Sequence, residues 1–193
     1  MKHPFLSCLR RSGVPLVFLV LLAAAGCQKN ADVRPKVLPP ATELGRNTIG
    51  CLVNNQPWGV DASDAGAANS PLKAWYTAGT VLDVEATHEG GVYGDSQLRL
   101  HLAAPNLRPG TYNLDQGTSL KFEDYESEFG DEYAAGGTIG EGAITLTKVL
   151  PVAATASSPA YTVVAGTFAF TAVSPLTGAL VHLIDGRFDV KAY

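Results

Sequence analysis

Ser96 is the first residue to weigh for chemistry, because it sits in Gly94-Asp95-Ser96-Gln97. A serine nucleophile in a Gly-Asp-Ser loop needs a strand-to-helix turn and a base, drawn from an Asp-x-x-His near the C-terminus. Here a strand pattern follows the serine, and the C-terminal order is reversed: His182-Leu183-Ile184-Asp185. The four residues read as a turn-forming loop. Cys51 lies in the apolar run Ile49-Gly50-Cys51-Leu52-Val53, with no base or cation beside it. A reactive thiolate needs an exposed, electropositive setting, so this thiol reads as buried and inert. His88, His101 and His182 stand far apart and match no metal-ligand spacing. The acidic stretch Glu123, Asp124, Glu126, Glu128, Asp131 and Glu132 is interleaved with Tyr125, Phe129 and Tyr133. It lacks the Asp-x-Asp-x-Asp-Gly order that folds carboxylates around calcium and reads as a solvated loop or edge. Trp58, Trp75, Tyr76, Tyr93 and Tyr125 could stack on a sugar or lipid if exposed, although aromatics in strands more often pack across strands. Arg187, in Asp185-Gly186-Arg187-Phe188-Asp189, reads as a surface ion-pair partner. No catalytic, cofactor-binding or metal-ligating set emerges, and the expectation is a protein that is not an enzyme.

The residue with the clearest expected chemistry is Cys27. The chain begins with a basic segment, Lys2, Arg10 and Arg11, and has no acid before Asp32. An apolar run from Val14 to Ala25 follows, well short of the roughly 20 residues a spanning helix needs. It narrows into Leu22-Ala23-Ala24-Ala25-Gly26-Cys27. Small residues let a peptidase bind the strand closely, and the thiol can accept a diacylglycerol. The segment resembles a bacterial lipobox, with Ala24 where leucine is commonest. That resemblance implies cleavage after residue 26 and membrane attachment through acylated Cys27. Two or three acyl chains, at about 0.8 kcal/mol per buried methylene, make a stable anchor. Gln28, rather than aspartate, follows the cysteine, which points to the outer membrane; the face exposed stays open.

Loss of residues 1–26 removes three of the 14 basic residues and none of the 18 acidic ones, leaving a net charge of −7. With no Lys/Arg cluster, such a domain is a poor nucleic-acid binder. Cys8 leaves with the signal and Cys27 carries lipid, so Cys51 has no disulfide partner within the chain. Residues 27–48 read as a tether: they are polar and carry Pro35, Pro39 and Pro40. Extended at ~3.1 Å per residue, such a tether reaches roughly 65 Å.

From Ile49 to Tyr193 the pattern is strand after strand. Ile49–Val53 and Trp58–Val60 flank a turn-forming Asn54-Asn55-Gln56-Pro57. Lys73–Ala78 and Val81–Thr87 follow, and Gln97–Leu102 alternates cleanly, with three leucines on one face. Thr111–Leu114, Ala143–Val149 and the long Tyr161–Val173 continue the series. Leu180–Ile184 and Arg187–Ala192 close it as two strands, with Asp185-Gly186 as the tight turn between them. No sustained 3.6-residue period interrupts. The expected fold is all-β, an antiparallel β-sandwich or barrel of about 9–11 strands in one domain, residues 49–193.

Several motifs resemble those of small Bacteroidota lipoproteins of unknown function, which run lipobox, proline-rich tether and β-domain. They are Leu38-Pro39-Pro40-Ala41-Thr42, Asn47–Asn54 with Trp58, Pro109-Gly110-Thr111-Tyr112, Gly142–Lys148, Gly166-Thr167-Phe168-Ala169-Phe170 and Asp185–Asp189. The resemblance implies fold and location and carries no activity, cofactor or catalytic residue. The motifs read as structural: Pro-Gly-Thr-Tyr enters a strand at a turn, and Gly166 marks a bulge or close packing. The functional expectation is a lipid-anchored envelope protein, a binding or structural module. The alternatives are a binder of a small apolar ligand or glycan, and a hydrolase with a site not recognised in the sequence. An envelope-protein partner is a further open expectation.

Overall fold

Residues that alternate apolar and polar along a strand show two faces to two environments, and here the inward set fills a barrel. The protein is described from a computed structural model covering residues 37–62, 70–90, 94–114, 117–125 and 131–193. These fall within the compact unit Val33–Tyr193. The signal segment, Cys27 and the first ten residues of the expected tether lie outside the described residues, as do Tyr93 and residues 126–130.

Among the described residues there is no helix. Eleven strands form one antiparallel sheet: β1 (Thr48–Val53), β2 (Gln56–Asp61), β3 (Leu72–Thr77), β4 (Val81–His88), β5 (Ser96–Ala103), β6 (Gly110–Asn113), β7 (Thr118–Asp124), β8 (Asp131–Gly136), β9 (Glu141–Val152), β10 (Tyr161–Val173) and β11 (Leu180–Ala192). The hairpin of β10 and β11 is the spine, and each strand changes neighbour along its outer edge. β10 pairs with β9 from Tyr161 to Thr171, then with β8 through Val173 and Ala134. β11 pairs with β1 from Leu183 to Asp189. Beyond it, Tyr193 exchanges backbone hydrogen bonds with β3, accepting from Tyr76 N at 3.3 Å and donating to Ala74 O at 3.2 Å. The strands β3-β4-β5-β7-β8-β10-β11 thereby form a nearly closed barrel. Closure leaves few edges open to pairing with another chain. The pairs β1-β2 and β9-β6 extend from the two long strands.

The interior is built by the expected alternation. Leu98, Leu100 and Leu102 of β5 are buried, as are Ile144 and Leu146 of β9, Phe168 and Phe170 of β10, and Phe188 and Val190 of β11. Trp58 meets Phe122 edge-on at 6.1 Å between centroids. Each such side chain contributes about 1.5–3 kcal/mol by leaving water. Cys51 is buried as expected, and desolvation pushes its thiol far above the ordinary range.

Two sequence readings are corrected. Asp185-Gly186 is not a turn between two strands; it lies inside the continuous β11. The pairing register with both neighbours slips at this point, and Asp185 adopts φ +52°. A β-bulge absorbs the extra residue and bends the strand. Gly186 is required because a Cβ there would lie 2.4 Å from the Phe168 ring. The acidic stretch, expected as a solvated loop or edge, is neither throughout, since its two ends close β7 and open β8 and pair with each other within the sheet. Gly166 does mark a bulge, with register slipping between Ala165 and Gly166. Pro109-Gly110 does lead into β6, held by Tyr112, whose hydroxyl donates to Arg108 O at 2.8 Å and accepts from Arg108 N at 3.0 Å.

The barrel also grips the chain ahead of β1. Buried Asp189 accepts from Thr42 Oγ1 at 2.5 Å, Leu44 N at 3.0 Å, Gly45 N at 2.7 Å and Arg46 N at 3.2 Å. Lys148 Nζ donates to Glu43 O at 2.7 Å. The last turn of the expected tether is therefore part of the folded unit from Thr42 onward.

Candidate ligand-binding face

The antiparallel pairs β3-β4 and β5-β7 turn their apolar residues inward and their polar residues outward, so the outer face of this sheet is set by register. One cross-strand row runs Trp75, Asp83, His101, Ser119. The next runs Lys73, Glu85, Arg99, Lys121. All of these but Lys73 line a surface groove of about 400 Å³. Its floor is the outward side of strands whose Val84 and Leu100 are buried at 1% and 2% exposure. Trp75 stands at the rim, 43% exposed.

The charged groups of the groove are paired. His101 Nδ1–H donates to Asp83 Oδ1 at 2.7 Å. Arg99 lies 3.5 Å from Glu85 and 3.7 Å from Glu123, and Lys121 lies 2.8 Å from Glu132. Pairs this exposed add about 0.2–1 kcal/mol each at most; their main effect is to hold the side chains upright across the sheet. Beyond Arg99, Tyr125 donates to Glu123, and its hydroxyl lies 3.3 Å from Gln97 Oε1. The bond to Glu123 and partial burial push the Tyr125 phenol up to about 12.

The residues singled out in the sequence are scattered by the fold. Ser96 is fully buried and accepts from Trp58 Nε1–H at 2.9 Å, so a substrate has no access to it. Trp58 is 1% exposed and is core, not a stacking platform. Tyr76 is partly buried, with its hydroxyl donating to Leu107 O. His88 Nδ1–H donates to Gly59 O at 3.1 Å, and His182 pairs with Thr171 Oγ1 at 3.2 Å. No group of three or more potential metal ligands converges among the described residues. Arg187 donates to the backbone carbonyl of Asp185, at 3.3 and 3.2 Å, in place of the expected carboxylate partner. Of the aromatic candidates among the described residues, Trp75 alone combines exposure with a groove.

The groove residues Asp83, Arg99 and Ser119 were missed individually, and His101 was weighed only as a metal ligand. Their signal was present in the polar positions of Gln97–Leu102 and of β4, but only the register shows that they share one patch. The row Asp83-His101-Ser119 has the order of a charge-relay set. The surrounding backbone N–H groups belong to the sheet ladder, whereas acyl transfer needs N–H donors aimed at a developing oxyanion.

These features define an all-β barrel with one paired-charge face around an exposed tryptophan. The chain belongs to the DUF6252 family, a domain of unknown function, which it matches over residues 73–190. The match runs from β3 into β11 and contains the whole groove. No curated protein and no solved structure matches the chain.

Proposed function

We propose that this protein is a lipid-anchored, non-enzymatic binding module of the cell envelope, with the groove beside Trp75 as its binding site. The observation that carries the binding role is the exposed indole over a preorganised polar floor, a concave site with few, fixed polar groups. The anchor rests on the basic start, the apolar run and the small residues before Cys27. With the lead-in held from Thr42, an extended chain from Cys27 would reach up to roughly 45 Å, enough to stand the barrel off a bilayer surface. Gln28 favours the outer membrane. Incorporation of an alkyne-palmitate by the full chain, lost in Cys27→Ser, tests the anchor. Native mass spectrometry of the extracted chain tests the groove: a copurifying small molecule lost in Trp75→Ala supports it, and a bare acylated mass in both speaks against it.

A second reading rests on the Asp83-His101-Ser119 row: a surface serine hydrolase. A fluorophosphonate probe that labels Ser119, with labelling lost in His101→Ala, would establish it; an unlabelled chain removes it.

A further inference from the structure

We propose that the Trp75 groove binds a neutral carbohydrate chain. This rests on the reading of the groove as a binding site and names its ligand class. Three observations lead to it. The first is charge. Two carboxylates, Asp83 and Glu85, and two cations, Arg99 and Lys121, line the groove, and each sits in a hydrogen-bonded or ionic pair. Because each charge is already balanced by a partner, a charged ligand gains little net attraction here. A polyol needs only hydrogen bonds, and a paired carboxylate keeps acceptor sites and a paired guanidinium keeps donors.

The second is the distribution of apolar surface. Val84 and Leu100 are buried beneath the floor, so Trp75 is the one broad apolar side chain the lining offers to solvent. A lipid tail would be left on charged walls. A pyranose ring has the opposite anatomy, one C–H face to lay on an indole and a rim of hydroxyls. Its hydroxyls meet donors and acceptors at fixed positions: Asp83 and Glu85 as acceptors, Arg99 and Lys121 as donors, and the Ser119 hydroxyl as either. His101 adds Nε2, the ring nitrogen not engaged with Asp83. The third is shape. The groove is open along the sheet, and about 400 Å³ lies within the roughly 300–1,000 Å³ range of small-molecule sites. An open groove lets a chain run through it.

The test uses the full chain extracted in a detergent without a sugar headgroup. Cellohexaose, maltohexaose and chitohexaose are titrated while tryptophan emission is followed, with a hexamer of galacturonic acid as the charged comparison. Trp58 is buried and Trp75 exposed, so a shift in the solvent-exposed emission component reports the groove. The expected result is a saturable shift with at least one neutral hexamer, and little with the charged one. Titration calorimetry should show affinity falling about tenfold or more in Trp75→Ala, which corresponds to about 1.4 kcal/mol. Trp75→Tyr should keep most of the affinity, since a flat ring remains. No shift with any neutral hexamer, a shift unchanged in Trp75→Ala, or equal binding of the galacturonate hexamer would overturn the proposal. If native mass spectrometry still finds a Trp75-dependent adduct that is not a saccharide, the sugar inference falls and the binding module stands. If neither assay finds binding, both fall.

Discussion

The indole N–H of Trp58 on β2 donates to the hydroxyl of Ser96 at the start of β5, 2.9 Å away and out of contact with water. The bond joins the β1-β2 pair to the ring of strands at the end of β4, where His88 also bonds Gly59 O. Ser96→Ala leaves a buried donor without its acceptor, at a cost of about 1–3 kcal/mol. Trp58→Phe removes the donor and opens space beside Phe122, at a cost of about 2 kcal/mol. Because both lose the same bond, the double variant should be less destabilised than the sum, with a coupling of about 1 kcal/mol. Urea denaturation followed by circular dichroism measures all three. Strict additivity would show that the bond carries no stability.

Asp189 predicts a second effect, on the chain ahead of the barrel. Its carboxylate collects three backbone N–H groups and the Thr42 hydroxyl. Asp189→Ala leaves those donors unanswered around a buried site, and the loss should be about 3 kcal/mol or more. It should also release the segment locally. Trypsin should cut after Arg46 in the variant under native conditions, and leave that bond intact in the parent. Equal protection in both would show that the lead-in is held by something other than Asp189.

The limits of reading this fold from sequence follow from which signals are local. β5 and β10 were legible because three or more apolar side chains repeat at every second position, and that period forces one face inward. β7 carries the same signal in Leu120 and Phe122, but two apolar positions beside an acidic stretch were too few to mark a strand. β8 offers almost none, since Ala135 is its buried apolar residue. The hairpin places Glu123 opposite Glu132 and Asp124 opposite Asp131. Like charges directly opposite disfavour pairing, and for Glu123 and Glu132 the cost is offset by Arg99 and Lys121, residues no local window would connect. Asp185-Gly186 looks the same to a local reading whether it bulges or turns; Gly50 and Phe168, the distant partners, decide it. The groove was invisible for the same reason. Trp75, Asp83, His101 and Ser119 become neighbours only through the pairing of four strands.

Cys51 supplies a third prediction. Its thiol is fully buried, and desolvation raises it far above the usual thiol range. The thiolate is the reactive species. In a Cys8→Ser/Cys27→Ser variant, Ellman's reagent should find no reactive thiol at neutral pH in the native protein, and one equivalent in denaturant. Fast reaction under native conditions would mean that β1 opens readily.

Tyr125 supplies the last. Its hydrogen bond to Glu123 is made by the neutral phenol, and together with partial burial it pushes the group up to about 12. The unfolded value is about 10. A folded value raised above the unfolded one contributes stability that is fully present below about pH 10, and that contribution is lost as pH rises through about 12. Tyr125 is half exposed, so the contribution is small. The sharper measurement is therefore spectroscopic. Phenolate absorbance should show one component titrating near 12 that vanishes in Tyr125→Phe. In Glu123→Gln the Tyr125 component should move down toward 10, because the charged acceptor is the largest cause of the shift. A component that stays near 12 in Glu123→Gln would assign the shift to burial instead.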